Sequence, residues 1–179
     1  LLCVGGGMVT DMGGFAASTF KRGMRCIYVP TTLLAQVDAS LGGKTGFNLD
    51  GLKNEIGTFS EPERVVIDVS LLQTLPVRER VSGYAEMLKH GLLSDMEYLE
   101  RLLACDTNVP EREEFLELIK KSVSVKNDIV TQDPNEKGIR KALNFGHTIG
   151  HAIESCSMMR RENMLHGEAI ALGIIAELY

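Results

Sequence analysis

Apolar residues in the first third of the chain come in short runs that are separated by turn residues. The runs Leu1–Val4, Cys26–Pro30 and Arg64–Asp68 each have the length of a buried strand. Helical stretches are predicted between them, from about Asp11 to Lys21 and from Thr31 to about Asp38. Strands that alternate with helices are typical of an α/β fold with a parallel sheet.

The pattern changes near Leu75-Pro76, where strand signals vanish and a 3.6-residue period begins. Helices are predicted over Arg78–Leu93, Asp95–Ala104, Arg112–Asp128, Phe145–Ser155 and Gly167–Tyr179. We therefore expect two domains. Residues 1–75 would form a partial α/β nucleotide-binding domain with a partial parallel sheet, and residues 76–179 a partial, all-α metal-binding domain.

Composition narrows the functional classes. The chain has 179 residues, and 44% of them are hydrophobic, which suffices for a core. Its net charge of −5 argues against nucleic acid or an anionic membrane as the main partner. No apolar run approaches the ~20 residues that span a bilayer. The four cysteines are scattered and form no CxxC, so we expect reduced thiols in a cytoplasmic protein.

Both ends of the sequence are unusual for a complete domain. The chain has no initial Met, begins in what reads as the middle of a buried strand at Leu1, and stops inside a helical pattern at Tyr179. We interpret the chain as an internal part of a longer protein.

Three histidines lie close together near the C-terminal end. His147 and His151 are four residues apart, so they share a helix face, and His166 opens another helical run. Upstream, Glu86 and Lys89 are three apart among small and apolar residues. A Glu with two His is a familiar zinc ligand set. Spacing alone favours His147 and His151 as the two histidine ligands. Two alternatives stay open: the histidines only bond to backbone carbonyls, and Glu86 and Lys89 form a surface ion pair.

The glycine-rich turn after the first strand, Gly5-Gly6-Gly7, leads into a helix and is typical of a phosphate cradle. A tight structural turn is the alternative. Thr31-Thr32 follow the next strand and would lie at the same edge of a parallel sheet, and the two features together favour a nucleotide.

Two lysines, Lys44 and Lys53, follow in glycine-rich segments that we interpret as loops, where they suit a phosphate. Lys126 and Arg140 come later in the chain, before the histidines, and suit a carboxylate. Solvated surface lysines are the alternative.

The order of these motifs is specific. The chain contains GGGMVTDMGGFAAST, RG, VPTTLLAQVDASLGGKTGFN, GLKNEIG, LQTLPVRE, GYAEMLKHG, GIRKALNFGHTIGHAIE and LHGEA. Over essentially its whole length it resembles the 3-dehydroquinate synthases, within the sugar-phosphate cyclases, with a more distant kinship to the glycerol-dehydrogenase-like fold. The resemblance implies an NAD-binding α/β domain, a helical domain and an active site in the cleft between them.

The resemblance also implies roles for individual residues. It places the zinc (or cobalt) ligands on Glu86, His147 and His166, and moves His151 to the substrate site. The positions that match NAD contacts are Gly7, Met8, Val9, Thr10, Asp11, Thr31, Thr32, Lys44, Lys53, Leu71, Leu72, Gln73 and Thr74. The positions that match the catalytic pocket are Arg22, Asp38, Lys44, Asn54, Lys89, Lys126, Arg140, Asn144 and His151. In the family, the arginine that matches Arg22 reaches the phosphate of a neighbouring subunit, so the resemblance implies a homodimer.

Two departures accompany the resemblance. The segment 157–163 looks slightly longer than the family's usual turn, and the family's first strands and last helices have no counterpart here. The implied reaction converts the sugar phosphate 3-deoxy-D-arabino-heptulosonate 7-phosphate to 3-dehydroquinate and phosphate, in the shikimate route, with catalytic NAD and a divalent metal. The alternatives are another cyclase, of the 2-deoxy-scyllo-inosose or valiolone type, and an inactive metal-binding module. We expect the 179 residues alone to be inactive.

Overall fold

The computed structural model describes residues 1–49, 52–107 and 113–179. Its first part contains β1 (Leu2–Gly5), α1 (Gly7–Thr19), β2 (Ile27–Pro30), β3 (Lys44–Leu49), β4 (Leu52–Phe59) and β5 (Arg64–Val65). The strands β1, β2 and β5 form a parallel sheet in the order β1-β2-β5. The parallel sheet predicted from the sequence is therefore confirmed, although β5 is only two residues long.

β1 is not the buried strand that the sequence predicts. Leu2 and Val4 are 61% and 55% exposed, while Cys3 is buried together with Cys26, Ala17 and Tyr28. β1 is the edge strand of the described sheet, and α1 covers only the face that carries Cys3. Alternate residues of a strand point to opposite faces, so the apolar side chains at Leu2 and Val4 face away from that cover.

The strands β3 and β4 form an antiparallel hairpin where the sequence analysis expected glycine-rich loops. That expectation was wrong because two of the glycines serve close strand pairing. Gly46 and Gly57 face each other, and a Cβ on either would clash with the opposite backbone. The hairpin packs on α1, where the rings of Phe15 and Phe47 meet edge to face with centroids 5.3 Å apart.

The described residues of the second part form helices joined by loops and contain no strand, as predicted. It contains α2 (Val77–Leu93), α3 (Met96–Ala104), α4 (Glu113–Gln132), α5 (His147–Met159) and α6 (His166–Leu178). Asp95 caps α3, where its Oδ1 accepts a hydrogen bond from the backbone N–H of Tyr98 at 2.8 Å. Short 3₁₀ helices cover Val69–Thr74 and Ile139–Asn144. The helix expected after Thr31 is π-helical over Ala35–Ala39.

The main apolar core joins both parts of the chain. It contains Leu33, Val37 and Leu72 from the α/β part and Met87 and Phe115 from the helical part, all at most 1% exposed. Packing is therefore continuous across residue 75, and the division into 1–75 and 76–179 stays a prediction. Among the described residues, no helix combines the length and the apolarity that a membrane span requires.

Candidate metal and cofactor site

The side chains of Glu86, His147 and His166 converge from three helices. Glu86 lies on α2 and is fully buried, and its Oε1 is 3.7 Å from Nε2 of His147 and 3.6 Å from Nε2 of His166. These separations are too long for hydrogen bonds. Ligand atoms about 2.0–2.2 Å from a tetrahedral zinc lie about 3.3–3.6 Å from one another. The spacing of these atoms therefore fits one metal ion between them.

An unsatisfied atom supports the same conclusion. Oε1 of Glu86 is buried and has no hydrogen-bond partner among the described residues, while Oε2 accepts a hydrogen bond from Nζ of Lys89. A buried carboxylate oxygen without a partner is costly. A divalent cation at this point would satisfy it. These residues therefore fit the zinc or cobalt that the resemblance implies.

Both histidines present Nε2 to this point because their other nitrogen is engaged. Nδ1 of His147 lies 3.2 Å from the backbone oxygen of Phe145, and Nδ1 of His166 lies 3.2 Å from Oε2 of Glu154. A carbonyl or carboxylate oxygen only accepts, so each Nδ1 holds a proton that it donates. Nε2 is therefore the nitrogen left to bind a metal, which would displace any proton that Nε2 carries.

Glycines allow the three helices to approach closely. Gly167, next to His166, lies against the backbone of Ser82 on α2, and its N–H donates to Oγ of Ser82 at 3.0 Å. Gly173 on α6 lies against the carbonyl oxygen of Gly146, the residue that precedes α5. A Cβ at Gly167 or Gly173 would overlap these backbone atoms, so a larger residue would separate the ligand-bearing helices.

Charges around the site oppose the effect of burial. Burial alone would raise the pKa of Glu86, but Lys89 and the two histidines lower it to about 2. Burial and the Lys89 charge lower the pKa of His147. Burial acts in the same direction on His166, yet Glu154 and Glu86 raise its pKa to about 9. Glu86 is thus an anion, as a metal ligand must be.

His151 belongs to the same group of rings. Its centroid lies 5.2 Å from that of His147 and 5.8 Å from that of His166, and the three side chains can bring one nitrogen each within 4.8 Å of one another. The structure thus brings together the pair favoured by spacing and the set favoured by the resemblance. The position of Glu86 favours the second set, since its Oε1 faces His147 and His166.

A second cluster of possible ligands lies beside the first but is already neutralised. Asp38, Glu86 and His90 bring ligand atoms within 4.8 Å of one another. The amino groups of Lys126 and Lys89 occupy this cluster, as they bind Asp38 and Glu86. Two ammonium groups at hydrogen-bond distance repel a further cation, so we do not assign a metal here.

The pair of Asp38 and Lys126 links α4 to the π-helical segment. Nζ of Lys126 lies 2.7 Å from Oδ1 of Asp38 and 2.6 Å from its backbone oxygen. Burial would raise the pKa of Asp38, but Lys126 and then Lys89 hold it well below its usual range. Burial, with a smaller contribution from the charge of Lys89, lowers the pKa of Lys126, although Asp38 acts to raise it. Two predicted pocket residues therefore form a partly buried ion pair.

Lys44 and Asn144 meet on a residue that the sequence analysis missed. Nζ of Lys44 binds Oε2 of Glu136, and Nδ2 of Asn144 donates to Oε1 of the same carboxylate at 2.6 Å. Glu136 has a positive φ of 56° in the loop after α4. Nothing in the sequence pattern distinguishes it from a surface glutamate. Lys44 lies at the start of β3 and not in a loop, which corrects the earlier expectation.

Arg140 is buried, and carbonyl oxygens hold its guanidinium group. Nη1 donates to Pro134 O and Nη2 to Gly42 O, each at 2.7 Å. Gly42 has a φ of 83°, and a Cβ at this position would press on the guanidinium group of Arg140. Arg140 therefore fixes the turn that leads into β3. Its contact with a substrate carboxylate stays a prediction.

The predicted nucleotide edge is formed by neighbouring loops. β1 and β2 pair in parallel with Gly5 opposite Pro30, so the turn at Gly5–Gly7 lies beside Thr31-Thr32. The backbone N–H of Thr31 donates to the oxygen of Gly5 at 2.9 Å. Gly6 is the N-cap of α1, whose first turn has no acidic side chain, which favours an anion there.

The predicted NAD residues differ in what they can offer. Thr10 is fully buried and bonds to its own helix through Gly7 O, and Leu72 is fully buried in the core, so only their backbone atoms can face a ligand. Met8, Val9 and Asp11 lie at least partly exposed on the first turns of α1. Leu71, Gln73 and Thr74 belong to the 3₁₀ helix after β5.

Of the three remaining predicted residues, two have side chains that the structure does not describe and the third is exposed. The side chains of Lys53 and Asn54 lie outside the described part of the structure. Arg22 is exposed in a turn with a φ of 67°. The described structure therefore does not place these three side chains in the site.

Comparison with known proteins agrees with the arrangement. The 3-dehydroquinate synthase N-terminal family model matches residues 1–82, and the 3-dehydroquinate synthase C-terminal model matches residues 83–179. The 3-dehydroquinate synthase of Parabacteroides distasonis is 55% identical over 179 residues, which cover 100% of this chain and 51% of that protein. That of Alkaliphilus metalliredigens is 48% identical, over 99% of this chain and 50% of the protein. The chain thus spans about half the length of these relatives.

Solved structures with the same fold include two cyclases. A 2-epi-5-epi-valiolone synthase from Streptomyces hygroscopicus with NAD+ and Zn2+ bound has a TM-score of 0.90 at 30% identity, over 97% of this chain and 48% of that one. A 2-deoxy-scyllo-inosose synthase complexed with carbaglucose-6-phosphate, NAD+ and Co2+ has a TM-score of 0.86 at 34% identity, with the same coverage. A probable glycerol dehydrogenase from Sinorhizobium meliloti, at 17% identity and a TM-score of 0.64 over 98% of this chain and 54% of that one, shares the fold alone.

The family models together match all 179 residues, and the curated relatives agree with them. The chain therefore belongs to the 3-dehydroquinate synthase family.

Proposed function

We propose that the full-length protein is a 3-dehydroquinate synthase, a lyase that converts 3-deoxy-D-arabino-heptulosonate 7-phosphate to 3-dehydroquinate and phosphate. The observation that carries this proposal for the chain itself is the buried Oε1 of Glu86, which faces Nε2 of His147 and of His166 and has no hydrogen-bond partner among the described residues. Family membership supports the same reaction.

The metal and the nucleotide would bind separate parts of the chain. Glu86, His147 and His166 would hold zinc or cobalt, and the loops at Gly7–Asp11, Thr31-Thr32 and Leu71–Thr74 would hold NAD. When bound, the metal would polarise a substrate hydroxyl, and NAD would take up and later return a hydride. The related valiolone and inosose synthases contain NAD+ with Zn2+ or Co2+, which supports this pairing.

The chain's own residues would hold the two anionic ends of the substrate. Lys44 and His151 would contact the phosphate end, together with Asn54, and Lys126 and Arg140 the carboxylate end. Lys126 already binds Asp38, and Arg140 binds two carbonyl oxygens, so both cations are pre-positioned and lose little rotamer freedom on binding. Their burial excludes water from charge-assisted contacts and strengthens them.

Lys89 would support the metal centre by binding the oxygen of Glu86 that does not face the histidines. Its fully buried ammonium group binds Oε2 of Glu86. Burial alone would lower the pKa of Lys89, but the charges of Glu86 and Asp38 raise it above its usual value. Lys89 therefore remains charged and keeps Glu86 ionised. This arrangement turns Oε1 toward the histidines and away from the lysine.

Two further features belong to the proposal. Exposed Arg22 would reach the site of a second subunit in a homodimer. We place the protein in the cytoplasm, which is supported by the scattered positions of its four cysteines, with no CxxC among them. Because the chain spans about half of its relatives, we expect no turnover from the 179 residues alone.

A second cyclase activity is the main alternative. The valiolone synthase shares the fold at 30% identity, and the inosose synthase shares it at 34% identity. Arg140 and Lys126 favour the heptulosonate, since a substrate without a carboxylate would have no anionic group for these two buried cations to bind.

Phosphate release by the full-length protein tests this choice. We expect release from 3-deoxy-D-arabino-heptulosonate 7-phosphate that requires both NAD and a divalent metal, and none from glucose 6-phosphate, which has no carboxylate. Faster release from the hexose phosphate would favour the alternative.

A further inference from the structure

We propose that Glu154 is a positioning residue for the metal centre, where its carboxylate orients His166 by accepting the hydrogen bond from Nδ1–H. The inference rests on the proposed function, because it concerns the affinity of the site for the metal that Glu86, His147 and His166 would share.

The imidazole ring of His166 lies between two carboxylates. Oε2 of Glu154 is 3.2 Å from Nδ1, and Oε1 of Glu86 is 3.6 Å from Nε2 on the other side of the ring. The shorter contact is a hydrogen bond and the longer one is not. The hydrogen bond holds a proton on Nδ1, so Nε2 is the nitrogen left to bind a metal, and it faces the space beside Glu86.

The position of Glu154 gives α5 a double role. His147 and Glu154 are seven residues apart, which is about two turns, so they lie on the same face of α5. That face packs on α6, where His166 is the first residue. α5 thus supplies one ligand directly and orients a second ligand on the neighbouring helix.

Burial makes this contact more than a surface ion pair. Glu154 is 9% exposed, and a carboxylate at such a position is costly unless its oxygens are bonded. Nδ1 of His147 instead faces the neutral backbone oxygen of Phe145. A carboxylate is the stronger acceptor, so it should increase the basicity of His166 as a ligand more than a carbonyl does for His147.

The experiment measures the dissociation constant for Zn²⁺ in the full-length protein, by competition with a chelator at fixed pH. Glu154→Ala removes the acceptor and should weaken binding about 10- to 100-fold. Glu154→Gln keeps the shape and a neutral acceptor, so its loss should be smaller, about three- to tenfold. Ser157→Ala is the matched control, since it removes a hydrogen bond from the same helix, the one from Oγ of Ser157 to the backbone oxygen of Glu162 at 3.0 Å.

A second measurement separates orientation from stability. The visible absorption spectrum of the Co²⁺-substituted protein reports ligand geometry, and we expect it to change in both Glu154 variants but not in Ser157→Ala. Where Glu154→Ala does not fold, Glu154→Gln carries the test. A Zn²⁺ dissociation constant within twofold of the unaltered protein, with an unchanged Co²⁺ spectrum, would overturn the inference while leaving the proposed function in place. Failure of the unaltered protein to bind Zn²⁺ would overturn both.

Discussion

Lys126 and Asp38 form a partly buried ion pair across 88 positions of sequence, with Nζ of Lys126 2.7 Å from Oδ1 of Asp38. The pair joins α4 to the π-helical segment that follows Thr31-Thr32. It therefore connects the helical part to the part that would hold NAD. Both residues also belong to the proposed substrate pocket, so the same contact would serve folding and binding.

We predict that Lys126→Met destabilises the full-length protein by about 1–3 kcal/mol, because the substitution removes the nearest cation from the partly buried carboxylate of Asp38. Urea unfolding at pH 7 measures this loss. The double variant Lys126→Met with Asp38→Asn should recover most of it, since neither charge then remains. Equal stability of the single and double variants would show that the pair is not coupled.

The metal ligands can be distinguished from their neighbour by substitution. We predict that His166→Ala abolishes bound zinc and activity in the full-length protein, whereas His151→Ala retains zinc and lowers activity. The reason is that Glu86 Oε1 faces His166 at 3.6 Å and His147 at 3.7 Å. Metal content after dialysis, measured per subunit, decides between the two sets. Loss of zinc in His151→Ala with retention in His166→Ala would support the ligand pair that helical spacing alone suggests.

The sequence located most elements but could not choose between His151 and His166. Residues four apart on one helix are visible in a sequence, whereas the approach of α6 to α5 and α2 depends on contacts at Gly167 and Gly173 that only the packed structure shows. The resemblance supplied the set that this geometry favours. Glu136 and Glu154 were missed for a related reason, because a glutamate that bonds to a distant side chain has the same sequence signature as a solvated one.

We predict that Lys44→Met lowers kcat/KM of the full-length protein about 10- to 100-fold, which corresponds to about 1.5–3 kcal/mol for a contact with a charged group. The side chain of Lys44 is 49% exposed and binds Glu136, so solvent and that carboxylate limit its effect. Lys120→Met is the control, since Lys120 is an exposed lysine that also pairs with a glutamate, Glu117. Steady-state kinetics measures both variants. A change of less than threefold in Lys44→Met would mean that the lysine is only a surface cation.

The carboxyl group of Asp11 provides a test by pH. It lies on α1 near the predicted pyrophosphate loop, and burial, with a smaller contribution from the charge of Asp38, raises its pKa from 3.8 to about 7. The folded state therefore prefers the protonated form. Stability is lost as the pH rises from about 4 through 7, because the unfolded chain ionises this group first.

We predict that Asp11→Asn is more stable than the unaltered protein at pH 8, by on the order of 1–2 kcal/mol after allowance for the partial exposure of this residue, and that the difference disappears near pH 4. Urea unfolding of the full-length protein without NAD, at pH values from 4.5 to 8, measures this trend. Asp128→Asn, which changes an exposed carboxylate on α4, should show no such trend. If Asp11→Asn is instead less stable at pH 8, the carboxylate is paired in the folded protein and its charge favours folding.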